Sequence, residues 1–262
     1  MIDIHTHILP ACDDGSPDID TSLHYLQILA QNKVSDVILT PHFIRNSYNN
    51  KKEIINPKFT KLKEMVYKKN IEINLHLAAE VYLEPTLIED IKKNNFTINN
   101  SDYVLVETSF NGFPTNLLEI LYQLVKDGYK PILAHPERYN EFIVNPNKAE
   151  SFLYRDIYFQ LNAGSFLGKY GKQVKNTAWS LLDKGYVHFL ASDLHCKNGE
   201  YPLPIAAHLI AEKYDEYLVK LLTEINPQKL LNNEKIEIFY IKKKDFEKKS
   251  FWQDFKNFFS KL

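Results

Sequence analysis

Short apolar runs and longer amphipathic stretches take turns along most of this chain. The apolar runs are Met1–Ile4, Val34–Thr40, Ile71–Leu77, Tyr103–Val106, Pro131–Ala134, Ile157–Leu161 and Val187–Ala191. Each is short, rich in β-branched or aromatic residues, and bounded by polar or turn residues, which predicts buried strands. Between them, apolar positions recur at helical spacing near 19–32, 57–69, 84–93, 115–127, 147–154 and 173–184. Strands that alternate with helices predict parallel strands joined by helical crossovers. A closed or nearly closed barrel accommodates seven such units in one domain, with its active site in the loops after the C-terminal strand ends. Beyond residue 200 the pattern changes. Helices are predicted over 203–222 and 226–232, and 235–241 reads as a short strand or extended segment.

The last 21 residues form a separate segment, so the division is a barrel domain over 1–241 and a tail over 242–262. The tail carries seven lysines against three acids, a net +4. Its Phe251, Trp252, Phe255, Phe258, Phe259 and Leu262 follow amphipathic helical spacing. Such a helix packs on its own domain or on a partner subunit; attachment to an anionic membrane surface is the alternative.

The polar residues at the strand ends carry the chemistry. His5 and His7 are two apart, so on a strand both imidazoles point to one side. Alone, that pair fits structural histidines as well as a metal site. The later strand ends add His42, Glu80, Glu107, His135, Asp193 and His195, and Asp14 sits in the first loop. Gathered at one barrel mouth, these side chains predict a multinuclear site. Imidazoles and carboxylates without thiolate fit Mn, Fe, Zn or Co, and a carboxylate can bridge two ions. His24, His76, His188 and His208 fall inside elements, where core or surface roles are expected.

Bulk properties narrow the classes. A net charge of −1 over 262 residues gives no global case for nucleic acid. Two cysteines form no disulfide framework, and neither a signal peptide nor a long apolar span stands out, so a cytoplasmic protein is expected. A cysteine phosphatase needs an arginine six positions past its nucleophile. Asp18 and Pro202 occupy those positions after Cys12 and Cys196, which excludes that mechanism.

The motifs Asp3-Ile4-His5-Thr6-His7, Pro41-His42, Glu80, Glu107, His135-Pro136-Glu137-Arg138 and Ser192-Asp193-Leu194-His195 resemble, in order, those of the polymerase and histidinol phosphatase (PHP) superfamily. Asp13-Asp14-Gly15 and the His135–Arg138 stretch resemble one branch more closely: the bacterial manganese-dependent protein-tyrosine phosphatases of capsule and exopolysaccharide clusters. The resemblance covers about residues 1–235. It implies an α/β fold, a distorted (β/α)7 barrel with a C-terminal helical extension, and three ions. His5, His7, Glu80 and Asp193 would hold the first. Glu80, Glu107 and His135 would hold the second, with Glu80 bridging, and Asp14, His42 and His195 the third. Mn2+ is expected, with Fe, Zn, Co or Mg as alternatives. Arg138, Asp193 and His42 are the positions on which catalysis is expected to depend. A bridging hydroxide would attack phosphorus in line while the ions and Arg138 balance charge. Arg45 and Lys197 are further candidate phosphate contacts.

The implied substrate is a phosphotyrosine protein, a bacterial tyrosine kinase that regulates capsule synthesis, met in the cytoplasm or at the inner membrane face. Homo-oligomerisation stays open. In one place the sequence departs from the branch: Glu200 stands about where many members carry an arginine that helps hold phosphate. The same superfamily chemistry on a small phosphomonoester such as histidinol phosphate is therefore the leading alternative. A regulatory or scaffold protein with weak activity is the other.

Overall fold

The computed structural model describes residues 1–84, 87–197 and 199–237. The tail over 242–262 therefore lies outside the described residues, as does most of the segment expected to be extended over 235–241. The strands are β1 (Ile2–Thr6), β2 (Asp36–Leu39), β3 (His42–Ile44), β4 (Tyr48–Asn49), β5 (Asn74–Leu77), β6 (Glu80–Tyr82), β7 (Tyr103–Glu107), β8 (Lys130–Ala134), β9 (Tyr158–Asn162) and β10 (Phe189–Ala191). The helices are α1 (Ile19–Gln31), α2 (Lys52–Lys68), α3 (Leu87–Asn94), α4 (Leu117–Lys126), α5 (Asn140–Val144), α6 (Glu150–Leu153), α7 (Ala163–Leu167), α8 (Lys172–Asp183), α9 (Leu203–Lys213), α10 (Glu216–Lys220) and α11 (Asn226–Leu231).

Two sheets make the barrel wall. One runs β1-β2-β5, and the other runs β10-β9-β8-β7-β6-β3-β4. They are joined because β2 continues into β3 and β5 into β6 across short breaks. Pro41 offers no N–H to the ladder at the first break, and its carbonyl accepts from Glu80 N at 3.2 Å. The seam between β1 and β10 is bridged by Thr6 opposite Leu194. His7 N donates to Leu194 O and Asp193 N to His5 O there, at 2.9 and 3.0 Å. Counting each broken strand once gives seven strands around the ring, a distorted (β/α)7 barrel.

The strands are buried on both faces, as parallel strands under a helical layer must be. All five residues of β7 and of β9 are buried. The helices bury one stripe each: Leu117, Ile120, Leu121 and Leu124 on α4 follow i, i+3, i+4, i+7. Asp18 caps α1, its side chain accepting from Thr21 N at 2.8 Å.

Several boundaries differ from the sequence-based expectation. His42 and Glu80 do not end their strands; they restart them, paired to each other in the β3–β6 register. The helix expected to begin at Pro57 begins at Lys52 and carries Pro57 inside. The stretch expected as one helix over 203–222 is divided, because Asp215 caps a new helix by accepting from Leu218 N at 2.8 Å. Neither the antiparallel β3–β4 hairpin nor α7 follows from the apolar pattern. No helix among the described residues is long and apolar enough to cross a membrane.

Candidate metal centre

His5 and His7 lie where β1 meets the seam, and both are fully buried. Their Nε2 atoms are 3.2 Å apart. Glu80 Oε2 is 3.2 Å from the His5 nitrogen and 3.3 Å from the His7 nitrogen. Asp193 Oδ1 is 3.4 and 3.3 Å from the same two atoms. Donors that share one ion at about 2.1 Å lie about 3.0–3.4 Å apart in octahedral or tetrahedral geometry. These four atoms have that spacing.

A second group adjoins it through Glu80. Its other oxygen, Oε1, is 2.9 Å from His135 Nε2, and Oε2 is also 3.1 Å from His42 Nδ1. Glu107 Oε1 lies 2.9 Å from His42 Nδ1, and Glu107 Oε2 is 4.0 Å from His135. On the outer side, Asp14 Oδ1 is 3.2 Å from His195 Nε2 and 3.7 Å from His42 Nε2. All nine strand-end and loop candidates thus come together. His42 faces both outer groups, one ring nitrogen to each, whereas the sequence reading placed it with Asp14 and His195 alone.

Buried atoms without a hydrogen-bond partner test whether a metal fits. His42 Nδ1, Glu80 Oε2, Glu107 Oε1 and Asp193 Oδ1 are such atoms. Imidazole nitrogens lie 2.9–3.4 Å from these carboxylate oxygens without hydrogen-bond alignment, and a buried carboxylate oxygen with no aligned donor is costly. Four ligand-type atoms left unsatisfied at one place fit a cluster of divalent ions, which these residues could hold.

The protonation states of the protein residues alone point the same way. Burial works against charge on His5, but the Glu80 and Asp193 carboxylates outweigh it and raise its pKa to about 9. His7 is raised well above the usual range by Asp13 against burial. Burial opposes the charge on Glu80 and Asp193 too, yet neighbouring histidines hold both carboxyls well below the ordinary range. His195 goes the other way, to about 4, because burial and the charge on His7 both oppose its protonation. The carboxylates are ionised and held by imidazolium, an arrangement in which divalent ions would displace protons.

The residues that orient these groups were not evident from sequence. His7 Nδ1 lies 2.7 Å from Asp13 Oδ2, and the same oxygen accepts from His42 N at 2.9 Å. His5 Nδ1 lies 2.7 Å from Gln160 Oε1. Gln160 Nε2 donates to Asn162 Oδ1 at 2.9 Å, and Asn162 Nδ2 donates to Asp193 Oδ2 at 2.6 Å. Partners on the outer ring nitrogens fix which nitrogen faces the ion. The available signal was Gln160 and Asn162 themselves, polar residues at i and i+2 in an otherwise apolar strand.

His135 and Asp193 both have φ in the left-handed region, +37° and +52°. Such conformations cost about 1–3 kcal/mol each and persist where surrounding structure imposes them. Gly15 is required by space. A Cβ there would sit 2.1 Å from the carbonyl oxygen of His7 and 2.4 Å from its Cβ. We therefore expect Gly15→Ala to push the Asp13–Gly15 loop off His7 and lower activity by at least about tenfold, an effect near 1.4 kcal/mol. Equal kcat/KM and equal metal content in the variant would refute this.

Arg138 closes the cluster on one side, its Nη1 donating to Asp193 Oδ2 at 3.3 Å. It lines a cavity of about 510 Å³ together with Asp14, Tyr170, Lys197 and Glu200. Lys197 reaches Asp14 Oδ2 at 3.2 Å. Arg45 is engaged by Asp90 of α3 through both Nε and Nη2 and does not line that cavity. A larger groove, about 910 Å³ between α2 and β5, contains none of the nine candidate ligands. His188 is a core residue whose Nδ1 accepts from Phe159 N at 3.0 Å. Burial pushes the Cys12 thiol to about 11 and the Cys196 thiol to about 12. At pH 8 both stay protonated, so Cys196→Ser is expected to keep wild-type kcat, and a loss beyond about tenfold would give the thiol a role.

The comparison with known proteins follows the same outline. The family model for capsular polysaccharide synthesis proteins of the CpsB/CapC type matches residues 1–232. The chain belongs to this family. It is 30% identical over 238 residues to the tyrosine-protein phosphatase YwqE of Bacillus subtilis, covering 90% of this chain and 93% of that one. It is 29% identical over 247 residues to the tyrosine-protein phosphatase CpsB of Streptococcus pneumoniae, covering 90% and 100%. Among solved structures, one from the pair YwqE and CpsB, described as metal-dependent tyrosine phosphatases, matches with a TM-score of 0.84 at 30% identity, covering 90% and 96%. A phosphotriesterase homology protein of Escherichia coli shares the fold alone, with a TM-score of 0.59 at 14% identity and coverage of 87% and 97%.

Proposed function

We propose that this chain is a metal-dependent protein-tyrosine phosphatase whose substrate is a tyrosine kinase governing capsule or exopolysaccharide synthesis. The observation that carries the reading is the buried set of unsatisfied ligand atoms on Glu80, Glu107, His42 and Asp193 beside a cavity lined by Arg138. Membership of the CpsB/CapC family and the likeness to YwqE and CpsB support it.

His5, His7, Glu80 and Asp193 would hold one ion; Glu80, Glu107 and His135 a second; Asp14, His42 and His195 a third. Mn2+ is the proposed metal. Bound there, divalent ions supply an activated water and offset the charge of the phosphoryl group. Arg138 grips phosphoryl oxygens through its planar fork, and Lys197 adds positive charge at the cavity rim. Asp13 and Gln160 hold the His7 and His5 rings so that Nε2 of each faces the cluster. A phenolate leaves readily because its acid has a pKa near ~10, so the site needs no dedicated proton donor for phosphotyrosine.

The test is the protein loaded separately with Mn2+, Fe2+, Zn2+, Co2+ or Mg2+, given phosphotyrosine peptide or histidinol phosphate, with metal content measured by mass spectrometry. Phosphotyrosine is expected to be preferred by about a hundredfold in kcat/KM, with Mn2+ most active. Preference for histidinol phosphate would overturn the substrate, and no turnover with any ion would favour a regulatory binding protein.

A further inference from the structure

Arg138 is held in an unusual way. Its guanidinium carbon lies 4.3 Å from the centre of the Phe110 ring and 4.4 Å from the centre of the Tyr170 ring. The two rings come from different segments: Phe110 from the loop after β7, Tyr170 from the stretch between α7 and α8. The cation lies over both rings, and neither ring face offers an oxygen acceptor, so its five N–H donors are left for oxygen partners at the cavity. One of them reaches Asp193 Oδ2 at 3.3 Å, and the side chain is 24% exposed on the cavity side.

We propose that Phe110 and Tyr170 are positioning residues that hold Arg138 as a preset fork for phosphate. The proposal rests on the reading of this cavity as a phosphate site. The alternative for a free arginine so close to Asp193, with Asp14 and Glu200 in the same cavity wall, is a bidentate pair with a carboxylate. Such a pair would consume the donors that phosphate needs and draw Asp193 from the cluster. The ring clamp limits the contact to a single nitrogen.

The clamp is itself braced. Phe110 stacks on Tyr139 with centroids 5.6 Å apart and lies 5.3 Å from the His135 ring. The turn that carries Arg138 is tied to the start of α7 through buried Glu137, whose Oε1 accepts from Asn162 N at 2.9 Å and Ser165 Oγ at 2.6 Å. Tyr170 and Asp193 line the same cavity as Arg138. Gly164 leaves room for this: a Cβ there would meet Lys169 Cδ at 3.1 Å and Tyr170 Cε2 at 3.5 Å. Phe110 and Tyr170 are only partly buried, so replacing either ring leaves the core intact.

The experiment is calorimetric titration of Mn2+-loaded protein with orthophosphate, for the wild type, Phe110→Leu, Tyr170→Leu, Phe110→Tyr and Tyr170→Phe, with p-nitrophenyl phosphate kinetics in parallel. Each leucine variant is expected to weaken orthophosphate binding about tenfold with unchanged metal content, while the variants that keep a ring stay within about twofold. Unchanged orthophosphate affinity in both leucine variants would overturn the clamp. So would a Tyr170→Phe loss equal to that of Tyr170→Leu, which would assign the effect to the hydroxyl and not to the ring. A wild type that fails to bind orthophosphate also overturns it. Ring-dependent binding without any turnover would leave the clamp standing and refute the phosphatase reading instead.

Discussion

Asp193→Ala is expected to lower kcat by about a thousandfold or more, a loss near 4 kcal/mol, and to lower the bound metal with it. Its carboxylate joins the histidine cluster to Arg138 and to the strand that carries Asn162. Oδ1 faces His5, His7 and His195 at 3.3–3.4 Å, and Oδ2 accepts from Asn162 and Arg138. Removing the carboxylate would take a ligand from the first proposed ion position, leave Arg138 without this acceptor, and leave Asn162 with an unused donor. Asp193→Asn separates these effects, because an amide keeps the shape and one acceptor oxygen but loses the charge that balances the imidazoles. The asparagine variant should fold as well as the wild type by circular dichroism and still hold less metal. His135→Ala should act in the same direction through Glu80, which His135 Nε2 meets at 2.9 Å. Turnover within about tenfold of wild type in Asp193→Ala, with full metal content, would remove Asp193 from the cluster.

The contrast between what the sequence showed and what it hid has a physical basis. Parallel strands buried on both faces must be continuously apolar, so Tyr103–Val106 and Pro131–Ala134 are readable without a partner. The residue just past such a run is one of the few polar positions a barrel can point into its mouth, which made Glu107, His135 and Asp193 legible. The two broken strands were harder. Pro41 and the Ala78-Ala79 pair end local regularity but not the barrel wall, so His42 and Glu80 sit at mid-strand kinks that nothing local announces. Loss of one ladder bond at Pro41 lets β3 and β6 turn toward β7, and this brings His42 and Glu80 into register. Arg138 was visible in its motif, whereas its aromatic partners Phe110 and Tyr170 lie 28 and 32 residues away. Contacts of that range leave no periodic trace. Asp13 was hidden for another reason: beside Asp14 it reads as one more acidic loop residue, and only the 2.7 Å contact with His7 assigns it.

Stripping the protein of metal should destabilise it more at pH 9 than at pH 6. In the metal-free protein burial opposes the charge of both carboxylates; Glu80 is held ionised mainly by His5 and His42, and Asp193 mainly by His5 and His7. The folded-state pKa of His5 is raised from about 6.5 to about 9 and that of His7 is raised as well. A group raised on folding contributes stability that is complete below its unfolded value and lost as pH climbs through the folded one. The loss therefore falls between about pH 6.5 and 9, where the carboxylates lose their counter-charges one after another. The lowered carboxyl values set the opposite boundary, since their contribution disappears on acidification below about pH 4. Metal-loaded protein behaves differently, because divalent charge replaces the protons and does not titrate away in this range. An ion at a hundred times its Kd adds about 2.7 kcal/mol, and a chain of this size gains roughly 2–4 °C in Tm per kcal/mol. The gap in Tm between Mn2+-loaded and chelator-treated protein should thus be about 5–10 °C at pH 6 for each ion held at that occupancy and wider at pH 9. Scanning calorimetry across that range decides it: a gap that is constant with pH, or that narrows toward pH 9, would mean that His5 and His7 are not the groups holding the empty cluster together.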